Sequence, residues 1–219
     1  MKSLKPKLII VTGLSGSGKS ITLRSLEDLG YFCIDNLSPT MIIQMLGVIK
    51  KSHQKVYEKV AISIDIRSIK MDDDYHKSIA TLYSELLKLN FKSTTIFLHS
   101  STEILLSRFN ATRRLHPLTS DKVDLRTAIS KEAEIMQKLK ENSNLIIDTD
   151  KLLPLDLKKE IASKISIIKN NKDMLIQLQS FGYKNSIPNE SDFVFDVRCL
   201  RNPFWDKSLR ELSGKDKKV

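Results

Sequence analysis

The sequence predicts an α/β protein built on a parallel sheet with helices on both faces. Three observations carry that prediction. Five strand-length apolar runs recur along the chain, amphipathic helical segments separate them, and most of the runs end on a glycine or a carboxylate. Strands that alternate with helices imply βαβ units, whose crossover helices cover both faces of the sheet.

The first run, Lys7-Leu8-Ile9-Ile10-Val11-Thr12, is β-branched and bounded by Gly13, as a buried strand should be. A glycine-rich turn follows. Ser20 to Leu29 then places Ile21, Leu23, Leu26 and Leu29 at helical spacing, and Gly30 reads as the residue that ends the helix. Tyr31-Phe32-Cys33-Ile34 is a second strand, closed by Asp35-Asn36. Ser38 is the expected cap of the next helix and Pro39 its first residue, where a missing N–H does no harm. That helix runs through Met41, Ile42, Met45, Leu46 and Ile49.

Val60-Ala61-Ile62-Ser63-Ile64-Asp65 is a third strand, again with a carboxylate at its end. Asp72, Asp73 or Asp74 can cap a helix that carries Ile79, Leu82, Leu86 and Leu89. Thr94 to Leu98 and Leu145 to Asp148 are the fourth and fifth strands, with helices expected at Thr102 to Arg114 and Asp124 to Glu141. Leu157, Ile161, Ile165 and Ile168 signal a last helix from Pro154 to Lys169. Lys169-Asn170-Asn171-Lys172 then marks a boundary. Residues 1–170 are the expected nucleotide domain and 171–219 a second unit, with strands at Met174 to Leu178 and Phe193 to Leu200.

Composition narrows the class. Among 219 residues, 41% hydrophobic and 28% charged exclude wholesale disorder. No apolar run approaches the roughly 20 residues that span a bilayer, and the four-residue run near the N-terminus is too short for a secretory signal. The chain is expected in the cytoplasm, away from membranes. Cys33 and Cys199 form no Cys-x-x-Cys pair and fit a reducing compartment. His53, His76, His99 and His116 lack metal-ligand spacing. Thirty-six lysines and arginines against 26 acidic residues give a formal charge of +10, which favours contact with phosphate in nucleotides or nucleic acid.

In parallel sheets ligands lie beyond the C-terminal strand ends, and there the glycine turn, Asp35-Asn36, Asp65 and Asp148 collect. Gly13-Leu14-Ser15-Gly16-Ser17-Gly18-Lys19-Ser20 fits the G-x-x-x-x-G-K-[ST] phosphate-binding loop at every fixed position, between a predicted strand and a predicted helix. Its glycines let successive N–H groups turn inward around phosphate oxygens, and the helix that follows presents its positive end. Lys19 would reach the β- and γ-phosphates, and the Ser20 hydroxyl would ligate Mg²⁺.

Other positions are open to two readings. Asp65 could hold the Mg²⁺ shell or cap a turn, and Asp35 could act on a bound molecule or satisfy its own backbone. Arg108, Arg113 and Arg114, with His116 close behind, could cover phosphates, contact an RNA backbone or simply solvate a helix end. His99 reads as a partly buried polar residue.

Several segments together resemble the RapZ/YvcJ family of bacterial nucleotide-binding proteins. They are the loop Gly13 to Ser20, the run Leu26 to Leu37, Ile64-Asp65-Ile66-Arg67-Ser68, Thr112-Arg113-Arg114-Leu115-His116-Pro117-Leu118, Ser180-Phe181-Gly182-Tyr183-Lys184 and Phe195 to Asp206. The resemblance implies a nucleotide-kinase-like P-loop NTPase domain with ATPase and GTPase activity, followed by a C-terminal domain. It also implies ATP at Gly13 to Ser20 and GTP contacts from Asp65, Ile66, Arg67 and Ser68. Some members act as adapters that present a small regulatory RNA to an endoribonuclease.

This chain departs from the family pattern at two places. His99 stands where the family commonly has an acidic residue. The chain also ends at Val219, before the family's Gly-Cys-Thr-Gly-Gly-x-His-Arg-Ser stretch, so 171–219 is expected to be a truncated C-terminal α/β segment. That shortening counts against the adapter role and leaves the nucleotide site intact. Three functions follow as alternatives: a slow, regulatory nucleotide hydrolase, an RNA-binding adapter, and a small-molecule kinase. A homo-oligomer is compatible with each.

Overall fold

All five predicted strands pair into one sheet: β1 (Lys7–Gly13), β2 (Phe32–Ile34), β3 (Lys59–Ser63), β4 (Lys92–His99) and β5 (Leu145–Asp148). In this computed structural model, residues 7–52, 54–69, 74–170, 178, 180–183, 187, 191–212, 216 and 218 are described. The strand order is β2-β3-β1-β4-β5, and every pair is parallel. The chain leaves β1 toward one edge and later returns to its other side at β4, so the topological switch point lies at the end of β1.

Seven helices accompany the strands among the described residues: α1 (Lys19–Asp28), α2 (Pro39–Lys51), α3 (Ile66–Ile69), α4 (Tyr75–Lys88), α5 (Thr102–Thr112), α6 (Leu125–Glu141) and α7 (Pro154–Asn170). Strand periodicity sorts the core into two layers. Leu8 and Ile10 of β1 join Ile42 and Leu46 of α2, Ile79 and Leu82 of α4, and Ile129 and Met136 of α6. Ile9 and Val11 face the other way, with Leu23 and Leu26 of α1 and Ile161 and Ile165 of α7. Each such side chain contributes roughly 1.5–3 kcal/mol relative to exposure.

The helix ends follow their local chemistry. The side chains of Ser38, Asp74 and Asp124 accept from Met41, Lys77 and Thr127 N–H, which caps α2, α4 and α6. Of the three aspartates considered for α4, Asp74 is the cap. Gly30 closes α1 at φ 79°: its N–H donates to Glu27 O, and the Tyr31 N–H donates to Leu26 O. Helix α5 stops two residues earlier than predicted, because Arg113 takes a left-handed conformation at φ 50°.

The chain groups into two compact units, Met1–Leu178 and Gln179–Val219. In the second, the predicted strand Phe193 to Leu200 is a correction: the segment is irregular, and Phe193, Phe195, Val197 and Leu200 are exposed. An alternating apolar pattern becomes a strand only against a partner strand and a facing layer. The described residues of that unit supply neither. They form turns and a short 3₁₀ segment at Pro203–Trp205. The other predicted strand, Met174 to Leu178, lies outside the described residues except for Leu178, which belongs to no element. Among the described residues no helix is long and apolar enough to cross a membrane.

Candidate functional site

Strand β1 ends where it must pass β4 at very short range. A Cβ on Gly13 would sit 2.2 Å from the Leu98 carbonyl oxygen, and the residue has φ 137°, so only glycine fits. The chain then winds back on itself. Leu14 N–H donates to Leu98 O at 3.3 Å, and Ser17 donates to Leu14 O through its N–H at 3.1 Å and its hydroxyl at 2.6 Å. Gly18 caps α1 at φ 110°, where a Cβ would lie 2.7 Å from Leu157. Among the described residues, the N–H groups of Gly16, Gly18, Lys19 and Ser20 have no protein acceptor. Free donors gathered at a helix N-terminus are a ready anion site.

Lys19 is buried, and its ammonium donates to Gly13 O at 2.8 Å and Leu14 O at 3.1 Å. It also lies 3.4 Å from the Asp65 carboxylate. Asp65, two residues beyond β3, accepts from Arg67 through N–H at 3.0 Å, Nε at 3.1 Å and Nη2 at 3.3 Å. Burial pushes the Asp65 carboxyl up, but the Lys19 charge and the Arg67 bonds outweigh burial and hold it below the ordinary aspartate value. The hydrogen bonds and charge of Asp65 raise the Arg67 guanidinium in turn.

Around these groups lies a cleft of about 510 Å³, lined by the loop from Ser15 to Ser20, by Asp65 and Arg67, and by Arg108 and Arg114. Leu115, Pro117, Leu152, Pro154 and Leu157 give it an apolar side. Arg108 is clamped across it, donating to Gly16 O at 3.2 Å, to Thr149 Oγ1 at 3.1 Å and to Thr149 O at 2.5 Å.

The structure thus brings together Ser15, Gly16, Ser17, Gly18, Lys19, Ser20, Asp65 and Arg67. It does not bring Gly13, Leu14, Ile66 or Ser68 to the cleft surface. Gly13 and Leu14 form the floor against β4, and Ile66 is fully buried in the core. The Ser68 hydroxyl is spent on its own turn, donating to Asp65 O at 2.7 Å. The predicted basic cluster is split as well. Arg108 and Arg114 line the cleft, Arg113 does not, and His116 is buried.

Asp35 also stays outside the lining: it accepts from the Ser63 hydroxyl and so ties the end of β2 to the end of β3. Asp148 accepts from the Asp150 N–H, and His99 ends β4, both away from the cleft lining. One residue escaped the sequence reading. Glu132, fully buried on α6, accepts from Ser15 N–H at 2.9 Å and from the Ser15 hydroxyl at 2.7 Å. Its signal was available: a lone carboxylate among Ala128, Ile129, Met136 and Leu139, on the apolar face of its helix.

A parallel sheet of this order, with a glycine-lysine loop between β1 and α1, defines a kinase-like P-loop fold. Shikimate kinase from Acinetobacter baumannii in complex with shikimate shares it at a TM-score of 0.51 and 16% identity, over 78% of this chain and 97% of that one. The model of the RapZ-like N-terminal domain matches residues 6–169, and that of the RapZ C-terminal domain matches residues 174–219. A nucleotide-binding protein of Clostridioides difficile (strain 630) is 42% identical over 97% of this chain and 73% of its own length. A nucleotide-binding protein of Shewanella sp. (strain MR-4) is 41% identical over 97% of this chain and 72% of its own. The chain belongs to the RapZ-like family.

Proposed function

We propose that this chain binds a nucleoside triphosphate, ATP or GTP, at the Gly13–Ser20 loop and hydrolyses it slowly in a regulatory role. The observation that carries this reading is the set of unshared N–H groups at the start of α1, with the Lys19 ammonium held beside them. Such donors favour the charge that spreads over the transferred phosphoryl group. In hydrolysis a water oxygen bonds to the γ-phosphorus, the bond to the β-phosphate oxygen breaks, and the diphosphate and phosphate leave.

Ser20 lies exposed in the cleft at the second position of α1, and its hydroxyl fits a Mg²⁺ ligand. Bound there, the ion would neutralise β- and γ-oxygens. Asp65 fits the outer part of that shell, with its charge shared between Lys19 and Arg67. Ile66 and Ser68 serve the site by holding this turn rather than by touching nucleotide. Residues 1–170 are the unit that performs this work, and 171–219 are a second unit, which carries the match to the RapZ C-terminal domain.

The test is titration of the chain with ATP and GTP plus Mg²⁺, by calorimetry, for the wild type and Lys19→Ala. The lost charge-assisted bonds should weaken binding by about tenfold to a hundredfold and take hydrolysis to background. Equal affinity in the variant would sink the assignment. Arg67, Arg108 and Arg114 in one cleft favour a second reading, a small-molecule kinase. That reading requires ATP consumption that rises when an acceptor is supplied. An RNA adapter would instead bind RNA with a steep salt dependence that Lys19→Ala leaves unchanged.

A further inference from the structure

Three buried side chains connect the phosphate loop to the opposite wall of the cleft. Ser15 gives both its N–H and its hydroxyl to Glu132, at 2.9 and 2.7 Å. His116 Nε2 stands 2.9 Å from the same carboxylate. Its Nδ1 accepts the Leu118 N–H at 3.1 Å, which leaves the ring proton on Nε2, aimed at Glu132. Glu132 is 0% exposed and His116 2%, so neither can touch a ligand in the cleft. Phe109 packs beside them, 5.2 Å from the His116 ring and 3.3 Å from where a Gly16 Cβ would stand. His116 is also flanked by Arg114, Leu115 and Pro117, all of which line the cleft.

We propose that Glu132 and His116 are positioning residues for the phosphate loop: Glu132 fixes its third residue, and His116 orients that carboxylate while anchoring the Arg114–Pro117 wall. The proposal deepens the nucleotide reading and rests on it. A loop whose curvature depends on two bonds at Ser15 loses preorganised N–H donors when those bonds go.

The substitutions follow from the hydrogen-bond inventory. Glu132→Gln can keep every contact, its oxygen accepting from Ser15 N–H and His116 while its amide donates to the Ser15 hydroxyl. Glu132→Met fills a similar volume and offers only a weak thioether acceptor. Two measurements on the full chain decide: hydrogen exchange of the Ser15 amide without nucleotide, and the Kd for Mg·ATP. We expect Glu132→Gln to stay within about threefold of the wild type in both, and Glu132→Met to exchange the Ser15 amide about tenfold or more faster and to bind Mg·ATP about tenfold or more weakly.

If Glu132→Met does not fold, His116→Leu takes its place. It frees the carboxylate that holds both Ser15 groups, so the Ser15 amide should exchange faster and Mg·ATP binding should weaken by about threefold to tenfold, with His116→Gln restoring the Nε2 donor. A folded Glu132→Met with wild-type protection and affinity overturns the proposal, as does a Glu132→Gln no better than Glu132→Met. With Glu132→Met unfolded, a wild-type affinity in His116→Leu overturns it equally. If the wild type binds no nucleotide, the function proposed above fails instead. Protection at Ser15 that persists in a folded Glu132→Met, or in His116→Leu where that variant stands in, then overturns the positioning role, and its loss upholds it.

Discussion

Two four-residue turns of this chain, Asp65-Ile66-Arg67-Ser68 and Asp196-Val197-Arg198-Cys199, lie in different units and have nearly the same local geometry. In each, the arginine N–H donates to the aspartate Oδ1 at 3.0 Å. The arginine Nε follows at 3.1 Å in the first and 2.9 Å in the second. The fourth residue points back to the aspartate carbonyl, Ser68 at 2.7 Å and Cys199 at 3.8 Å. Their settings differ. Ile66 is 0% exposed and Val197 63%. The first aspartate side chain is 6% exposed beside Lys19, and the second is 45% exposed, paired with an arginine that lies over the Tyr183 ring. Sequence of this kind suffices to make the turn, and the surrounding layers decide what the turn is worth.

The apolar position gives the largest separation. Ile66→Ala opens a cavity in a closed core and should cost about 2–5 kcal/mol in urea unfolding. Val197→Ala removes an exposed side chain and should stay within about 0.5 kcal/mol. Equal losses would show that burial is not what divides the two turns.

Acid separates the carboxylates next. The hydrogen bonds and charge of Arg198 hold Asp196 down to about 2, and Asp65 is held low against its own burial by Lys19 and Arg67. A carboxyl depressed in the folded state stabilises it fully above the unfolded value, and that contribution is lost as pH falls through the folded one. The melting-temperature gap between wild type and Asp65→Asn should therefore be widest near neutrality and shrink below about pH 5. Asp196→Asn should leave the acid limb of the curve in place, because its partner is solvated and screened.

The same contrast explains what could be read from the chain before folding. All five strands and the six longer helices were legible, because their apolar periods repeat over enough residues and most are bounded by a capping residue, a carboxylate or a glycine. Gly13 to Ser20 was legible for a different reason: the chemistry of phosphate needs fixed residues at fixed spacing. The period-two pattern at Phe193, Phe195 and Val197 misled, since alternation is only half of a strand and the other half is a neighbour. The strand order and the burial of Ile66 and Ser68 depend on contacts remote in sequence. Glu132 and Ser15, 117 positions apart, belong to the same kind. No local window holds both members of such a pair, although a glutamate on an apolar stripe was a visible anomaly.

The fourth position of the turns makes the smallest and most discriminating test. The Ser68 hydroxyl donates to Asp65 O and accepts from Asp65 N–H at 3.2 Å, and Ser68 is fully buried. Ser68→Ala therefore leaves the Asp65 N–H without its acceptor away from water, while Asp65 O keeps the Ser68 and Ile69 N–H groups at 3.0 and 3.1 Å, and should cost about 1–2 kcal/mol. Cys199 is exposed, and water can serve the Asp196 carbonyl in its place. Cys199→Ser, which installs the better donor and copies the first turn, should then leave the melting temperature where it was. A clear rise in that variant would mean that the second turn excludes water at its fourth position as the first does, and the distinction between them would rest on the apolar position and the aspartates.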